Sequence, residues 1–235
     1  MIFKRSIHHR IRSNVRHALS IFALIPTLLA LVAFSFSVSV QAGSALDALA
    51  QLQQHWDKIK YQLPEPERES ALEQLSNTAS QYTTDYPDSP EVLIWQGIIL
   101  STYAGAKGGL GALSLVNRAK QSFEQALQIN PEALSGSAYT SLGTLYYQVP
   151  GWPISFGSDK RAQQLLSKAL QINPNGIDSN YFYADFLVDQ KNYILARKTL
   201  DKALQAPSRP NRPLADAGRR QEILDLLAKI GDKAS

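Results

Sequence analysis

The sequence of 235 residues contains no cysteine. Disulfide bonds, thiol nucleophiles and cysteine-bound metals are therefore excluded, and the folded state has to be stabilised by packing alone. A lipid-modified N-terminal cysteine is excluded for the same reason, so we do not expect a lipoprotein. The chain is long enough to bury one continuous hydrophobic core without any cross-link.

Histidine is nearly as scarce. After the first 17 residues the only histidine is His55, beside Trp56 on an apolar stretch. One histidine without cysteine does not make a zinc site, and the numerous serines lack the histidine base of a hydrolase. The glycine-rich stretch from Gly105 to Gly111 lacks the Lys-Ser or Lys-Thr pair that a phosphate-binding loop requires. We therefore predict no enzymatic activity, no metal and no cofactor.

Acidic residues are missing from the first 42 positions. That segment carries five basic residues, then an apolar run from Ala18 to Val40, then the small-x-small ending Val40-Gln41-Ala42. This order predicts a secretory signal peptide over residues 1–42, cleaved after Ala42, and hence a periplasmic protein. The apolar run of 23 residues is also long enough to span a bilayer. The alternative is therefore an inner-membrane anchor with a periplasmic domain.

The excess of basic residues comes from this leader. The whole chain has 24 Lys and Arg against 20 Asp and Glu, and without the leader 19 remain against 20. The basic isoelectric point therefore does not indicate a nucleic-acid surface. A second concentration of arginines lies near the C-terminus, and we interpret it as a solvated face: Arg209, Arg212, Arg219 and Arg220.

A repeated pattern dominates the remaining sequence. Ala126-Leu-Gln-Ile-Asn-Pro131 recurs letter for letter as Ala169-Leu-Gln-Ile-Asn-Pro174. The surrounding pattern is Ala-x3-(Phe or Leu)-x2-Ala, and its third copy starts at Ala196, 34 residues after Ala162. Each copy follows a helical stretch centred on a small residue, namely Gly97, Gly143 and Ala184. The motif and its period of about 34 residues resemble the tetratricopeptide repeat.

This resemblance implies an all-α fold, in which tetratricopeptide-like helical hairpins stack as a short right-handed solenoid. We assign residues 43–89 to a leading hairpin, 90–207 to three repeats, and 208–235 to a linker and a C-terminal capping helix. Hydrophobic periodicity places the helices of the leading hairpin at Leu46–Ile59 and Glu65–Tyr82. The capping helix is expected at Leu214–Ile230.

Two of the three repeats carry extra residues between their helices. From the central small residue to the first alanine of the second helix is 12 residues in the last copy, 19 in the middle copy and 22 in the first. We predict two long inter-helix loops, around Gly105 and around Trp152, at one rim of the stack. Loops on a rigid scaffold often carry function, so this rim is a candidate site. Asp159 is the expected N-cap of the helix after the second loop.

The helical period also predicts which side chains face the concave side. One stripe of each first helix packs internally, and the neighbouring stripe is left for the hollow. The predicted lining is Thr140, Thr144, Tyr147, Ile94, Ile98, Ser101, Tyr181, Asp185 and Val188. This set contains no basic residue, which argues against a clamp for a peptide carboxylate and favours an apolar or neutral segment or a small molecule.

Two aromatic residues in the second loop, Trp152 and Phe156, have two interpretations. They fold back over the end of their own hairpin, or they belong to a ligand or partner surface, where rigid aromatic side chains contribute most. The segment from Tyr181 to Phe186 is aromatic on all sides. At least one of Tyr181 and Tyr183 is therefore expected to be exposed or to line a cavity.

Short motifs in and around this loop carry a narrower resemblance: Lys107-Gly-Gly109, Pro150-Gly-Trp-Pro153, Phe156-Gly157, Asn175-Gly176 and Asn180-Tyr-Phe-Tyr-Ala-Asp185. They resemble the T-components of tripartite ATP-independent periplasmic (TRAP) transporters. That resemblance implies a self-associating, non-enzymatic periplasmic protein that binds a small hydrophobic solute, a solute-binding protein, or both. The alternative is a general envelope scaffold that docks proteins of cell-wall or outer-membrane assembly. Nucleic acid is not an expected partner.

Overall fold

A computed structural model of the chain describes residues 44–234, so the predicted leader and its cleavage site lie outside the described residues. Nine α-helices run through this part of the chain, and a short 3-10 helix follows at Gly231–Ala234. The helices are α1 Ala45–Tyr61, α2 Glu65–Asp85, α3 Pro90–Lys107, α4 Gly111–Ile129, α5 Ala133–Gln148, α6 Asp159–Ile172, α7 Ile177–Asp189, α8 Tyr193–Leu204 and α9 Pro213–Ile230. The all-α prediction is confirmed, and none of these helices is long and apolar enough to cross a membrane.

Local sequence signals account for several helix starts. Ser44 forms a capping box with Asp47 at the start of α1, and Ser89 and Asn192 cap α3 and α8 with their side chains. The expectation that Asp159 caps α6 was wrong. Ser158 is the N-cap, because its hydroxyl accepts the backbone N–H of Arg161 at 3.3 Å.

The three hairpins α3–α4, α5–α6 and α7–α8 are packed as the repeat motif predicts. A Cβ atom at Gly97 would lie 2.4 Å from the ring of Phe123, and one at Gly143 would lie 2.8 Å from Leu166. Real Cβ atoms do not approach other heavy atoms so closely, so these two positions need glycine for the helices to touch. The third hairpin has room for a methyl group, and Ala184 is fully buried there.

The extra residues of the first repeat do not form the long loop that the sequence predicted. α3 continues to Lys107 and α4 begins at Gly111, so the insertion lengthens both helices. Only a short turn separates them, in which Gly108 and Gly109 have positive φ and end α3 as glycine commonly does. The insertion of the middle repeat is an irregular segment between Gln148 and Asp159. At the end of this segment the Ser158 N–H donates a hydrogen bond to the carbonyl oxygen of Tyr146 at 2.7 Å.

The helices form a closed ring. α1 contacts α3, α3 contacts α5, α5 contacts α7, α7 contacts α9, and α9 contacts α1 again. Each of the other four helices, α2, α4, α6 and α8, packs between the two inner helices that precede and follow it. α9 therefore does more than cover the last repeat, as the sequence predicted, because it also joins the two ends of the described chain.

Candidate functional site

The ring surrounds a cavity of about 1110 Å³. All five inner helices line it, and their contributions include Trp56, Trp95, Thr144, Tyr181, Asp185 and Arg219. Exposed residues such as Gly109 and Ser135 also belong to its lining, so the cavity opens to solvent. Its size is at the upper end of small-molecule sites, about 300–1,000 Å³.

The structure brings five of the nine sequence-predicted site residues to this cavity: Ile98, Thr140, Thr144, Tyr181 and Asp185. Ile94 is instead fully buried in the core. Tyr147 packs on Phe186 with ring centroids 5.5 Å apart, and its hydroxyl donates to the Asp185 carboxylate at 2.6 Å.

Trp152 and Phe156 do not line the cavity, and they behave differently from each other. The Trp152 side chain is 90% exposed. Phe156 is half-buried against Tyr146, with ring centroids 5.3 Å apart, so it covers the end of its own hairpin. Each of the two interpretations of the loop therefore applies to one of its aromatic residues: packing to Phe156 and a free surface to Trp152.

One side of the cavity is apolar and aromatic. Trp56 and Trp95 meet edge to face with ring centroids 5.7 Å apart. The indole N–H of Trp56 donates to the hydroxyl of Thr102 at 2.9 Å, so its polar atom is satisfied within the protein. Ile98 lies one turn from Trp95 on α3 and also lines the cavity. Trp56 and Trp95 are both buried, and the Arg212 guanidinium lies over the Trp95 ring, so Ile98 is the most accessible of these three apolar side chains.

A second part of the lining is ionic, and here the sequence interpretation was wrong. Arg212 and Arg219 do not lie on a solvated face. Only 7% of the surface of Arg219 is exposed to solvent. Arg209, Arg212 and Arg219 all line the cavity, so inward basic residues do exist. The physical reason is the ring closure, which carries α9 and the segment before it against acidic side chains of α1 and α7.

Each of these arginines is matched by carboxylates. Arg219 bonds Asp178 at 2.8 Å and Glu222 at 2.5 Å. Arg209 bonds Asp178 at 2.7 Å and Asp216 at 2.6 Å. Two further pairs join the ends of the described chain: Arg212 donates two hydrogen bonds to Asp57, and Lys60 lies 3.1 Å from Glu222. The fourth arginine, Arg220, bonds the carbonyl oxygens of Leu204 and Ala206 at the end of α8.

Burial and charge shift the pKa values of the lining. Burial alone would raise the pKa of the Asp178 carboxyl, but Arg219 and Arg209 outweigh it and hold this pKa below its ordinary value. Burial raises the pKa of Tyr181 to about 12, although Arg219 acts in the opposite direction. The Arg219 guanidinium lies 4.4 Å from the ring centroid of Tyr181. Around neutral pH the site therefore contains ionised Asp178 and Arg219 and a neutral Tyr181.

One sequence signal for the ionic lining was available. Arg212, Ala215, Arg219 and Glu222 are spaced three or four residues apart, so they share one face at the start of α9. Their partners Asp57 and Asp178 are far away in sequence, and no local pattern links them. Among residues 44–234 no group of three or more His, Asp or Glu residues is placed to hold a metal ion. The lining can therefore contact an occupant through aromatic side chains, paired charges and the polar groups between them.

No family model matches this chain, and no curated protein matches it. Among solved structures, TTC0263, a thermophilic TPR protein of Thermus thermophilus, is similar with a TM-score of 0.55 and 17% identity. The match covers 81% of this chain and 86% of that one. PilF of Pseudomonas aeruginosa is matched over 81% of this chain and 95% of its own at 16% identity, with a TM-score of 0.34 that supports no argument. The likeness to TTC0263, together with the helical hairpins, shows a tetratricopeptide-repeat fold.

Proposed function

We propose that this tetratricopeptide-repeat protein is a non-enzymatic binding protein whose central cavity holds a small organic solute. The observation that carries the proposal is the closure of the ring. An open superhelical groove accommodates an extended peptide along its length, whereas here α9 contacts α1 and closes the groove into a cavity. A cavity of this size, lined by both apolar and polar side chains, has the anatomy of a small-molecule site.

We further propose that the protein acts in the bacterial periplasm, exported by residues 1–42. The basic start, the apolar run and the small-x-small ending of that segment support export. The motif resemblance to TRAP T-components supports a role beside a solute-binding protein during uptake. The fold, the cavity and the predicted export signal all fit such a role.

A second candidate function is a scaffold for envelope proteins. It is favoured by the loop between α5 and α6, where Trp152 is 90% and Ile154 64% exposed. Large apolar side chains that are exposed to solvent, on a loop that is hydrogen-bonded to the rest of the protein, are typical of a docking surface. Crosslinking in cells separates the two roles, because a scaffold is captured with assembly machinery and a solute carrier with a solute-binding protein.

Native mass spectrometry tests the first proposal. The full-length gene is expressed and the protein is purified in the form that cells accumulate, so that its mass also reports cleavage after Ala42. We expect a copurifying small molecule that is released when the protein is denatured. A protein that is always empty, in every host and medium tried, contradicts the proposal.

A matched pair of variants assigns the molecule to the cavity. Thr144 lines the cavity and donates its hydroxyl to the carbonyl of Thr140, and Thr78 on exposed α2 surface makes the same kind of bond to Gln74. Thr144→Phe should narrow the cavity and remove a polar group from its lining, and so reduce copurification, whereas Thr78→Phe should not. Equal retention in both variants places the molecule elsewhere on the protein.

A further inference from the structure

Two carboxylates of the lining, the exposed Glu65 and the half-buried Asp185, belong to no ion pair of the described chain, and of these two Asp185 is the one on an inner helix. Asp185 lies on α7 seven residues after Asp178, about 10 Å further along the helix. Asp178 is paired with two arginines, whereas Asp185 accepts one hydrogen bond, from the Tyr147 hydroxyl at 2.6 Å. No Lys, Arg or His of the described chain forms an ion pair with Asp185.

Four of the five cations that line the cavity are already engaged in ion pairs. Lys60, Arg209, Arg212 and Arg219 each hold a carboxylate, so they are available neither to Asp185 nor to an anionic solute. Arg68 lies at the edge of the lining, three residues after the exposed Glu65, and donates to the carbonyl of Leu63 at 2.9 Å. Arg68 belongs to α2, which does not contact α7, so the Asp185 carboxylate has no counter-charge among these cations.

Three hydroxyl groups of the lining donate their hydrogens within the protein. Ser101, Thr102 and Thr144 each donate to the backbone carbonyl four residues earlier, at 2.7, 2.8 and 2.9 Å. A hydroxyl carries one donor and two acceptor lone pairs, so acceptor capacity remains. Tyr147 likewise gives its hydrogen to Asp185. These hydroxyl groups therefore offer acceptors, which suits an occupant that brings donors and positive charge.

We propose that the cavity recognises a primary or secondary ammonium ion with an apolar body, whose N–H groups bond the Asp185 carboxylate. The body lies against half-buried apolar side chains of the lining, such as Ile98, Leu113 and Leu134. The assignment rests on the proposed function, because it names the chemical class of solute for the same cavity. Charge-assisted hydrogen bonds between ammonium and carboxylate are stronger than neutral ones, so the charged group decides selectivity.

Three probes with one apolar body test this assignment by titration calorimetry on the purified protein: tryptamine, the neutral alcohol tryptophol and the anion indole-3-propionate. Tryptamine should bind about tenfold or more tightly than the other two. Asp185→Asn keeps an acceptor for the Tyr147 hydroxyl but removes the charge. The affinity for tryptamine should then fall about tenfold, to that for tryptophol.

Asp189→Asn is the matched control, because Asp189 is exposed on the same helix and belongs to no ion pair of the described chain. It should keep the preference for tryptamine unchanged. Thermal unfolding of both variants checks that any loss of binding is not a loss of folding.

The outcomes separate this inference from the function on which it rests. If tryptophol or indole-3-propionate binds as tightly as tryptamine, or if the preference survives Asp185→Asn, the ammonium assignment is overturned and the small-molecule function stands. If no probe binds, the copurifying molecule decides: one with a basic nitrogen supports the assignment, and one without it overturns the assignment. No probe binding together with no copurifying molecule removes both proposals.

Discussion

Gly218 in α9 lies directly against the ring of Tyr61 in α1. A Cβ atom at position 218 would lie 2.3 Å from the Cδ1 and Cε1 carbons of that ring. These residues belong to the last and the first helix of the described chain, so their contact is where the ring closes. The absence of a side chain at 218 lets α9 approach α1 closely enough for the ion pairs beside it to form.

The first prediction concerns this contact. Gly218→Ala should lower the free energy of unfolding by about 1–3 kcal/mol, since the added methyl group forces the tyrosine ring or the helix to move. This loss should exceed the gain of about 1 kcal/mol from better helix propensity. Gly105→Ala is the control, because Gly105 is also helical but has no atom within 4 Å of its Cβ position. Urea unfolding should show a lower free energy of unfolding for Gly218→Ala and a higher one for Gly105→Ala. Equal changes in the two variants would contradict the close approach of Gly218 to Tyr61.

A second prediction concerns the ion pair beside this contact. Arg212 bonds Asp57 twice and lies 4.6 Å from the ring centroid of Trp95. Arg212→Lys preserves the charge but loses the paired bonds and the flat stacking. Unfolding in urea should show a loss of about 1–3 kcal/mol. Glu124→Gln breaks the half-exposed pair with Lys120, which spans one helical turn, and should cost about 0.5 kcal/mol or less. A similar loss in the two variants would mean that Arg212 is no more than a surface charge.

The third prediction concerns the free energy of unfolding at acidic pH. Asp178 has a folded pKa below the unfolded value of about 3.9, because Arg219 and Arg209 outweigh the effect of burial. Its contribution is therefore fully present above about pH 4 and is lost as the pH falls through the folded pKa. At pH 7, Asp178→Asn should be less stable by about 1–3 kcal/mol.

This difference between wild type and Asp178→Asn should shrink as the pH falls below about 4, where the wild-type carboxyl takes up a proton. Unfolding free energies measured at several pH values for both proteins check this. Parallel curves would show that Asp178 does not titrate differently in the folded and unfolded states.

The fourth prediction concerns the repeat motif. Gly97→Ala should destabilise the protein by about 1–3 kcal/mol, because its Cβ atom would collide with the far end of the Phe123 ring. Phe123→Leu alone should also destabilise by leaving space in the core. The double variant recreates the combination of Ala184 and Leu200 in the third repeat. A double-mutant cycle should therefore show favourable coupling of about 0.5–3 kcal/mol, and strict additivity would contradict the contact.

The fifth prediction separates the two aromatic residues of the loop between α5 and α6. Trp152→Ala should change the thermal midpoint little, because the side chain is almost fully in water. Phe156→Ala should destabilise by about 1–3 kcal/mol, since it removes the half-buried contact with Tyr146. Thermal unfolding of the two variants side by side measures this, and a large loss in Trp152→Ala would show that Trp152 covers the core.

Much of the fold could be predicted from local patterns. The bounds of α1, α2 and α9 agree with the sequence-based helices to within three residues. The repeat motif singled out Gly97 and Gly143 as the small centres of their helices, and the structure shows that a Cβ atom at either position would collide with the second helix of the hairpin. The first insertion was misinterpreted, since extra residues in a turn and extra residues in two lengthened helices give the same spacing between motif positions.

Only part of the lining of the candidate site could be predicted from the sequence. The stripe containing Ile98, Thr144, Tyr181 and Asp185 followed from the helical period and does line the cavity. The same reasoning placed Ile94 there too, but Ile94 lies one turn before Ile98 along α3, where the same helix face is covered by the core, and it is fully buried. The arginines were missed because an isolated basic residue on a helix is most simply explained as solvated.

The sequence by itself determined the helices, their pairing into hairpins and the glycines that bring them together, because each depends on residues a few turns apart. Only the tertiary structure decided that the row of hairpins closes into a ring, with Tyr61 against Gly218 and Asp57 bonded to Arg212. Closure depends on the rotation from each hairpin to the next, summed over the whole stack. A small change in that angle at every step would separate the ends by many ångströms, and no local pattern encodes such a sum.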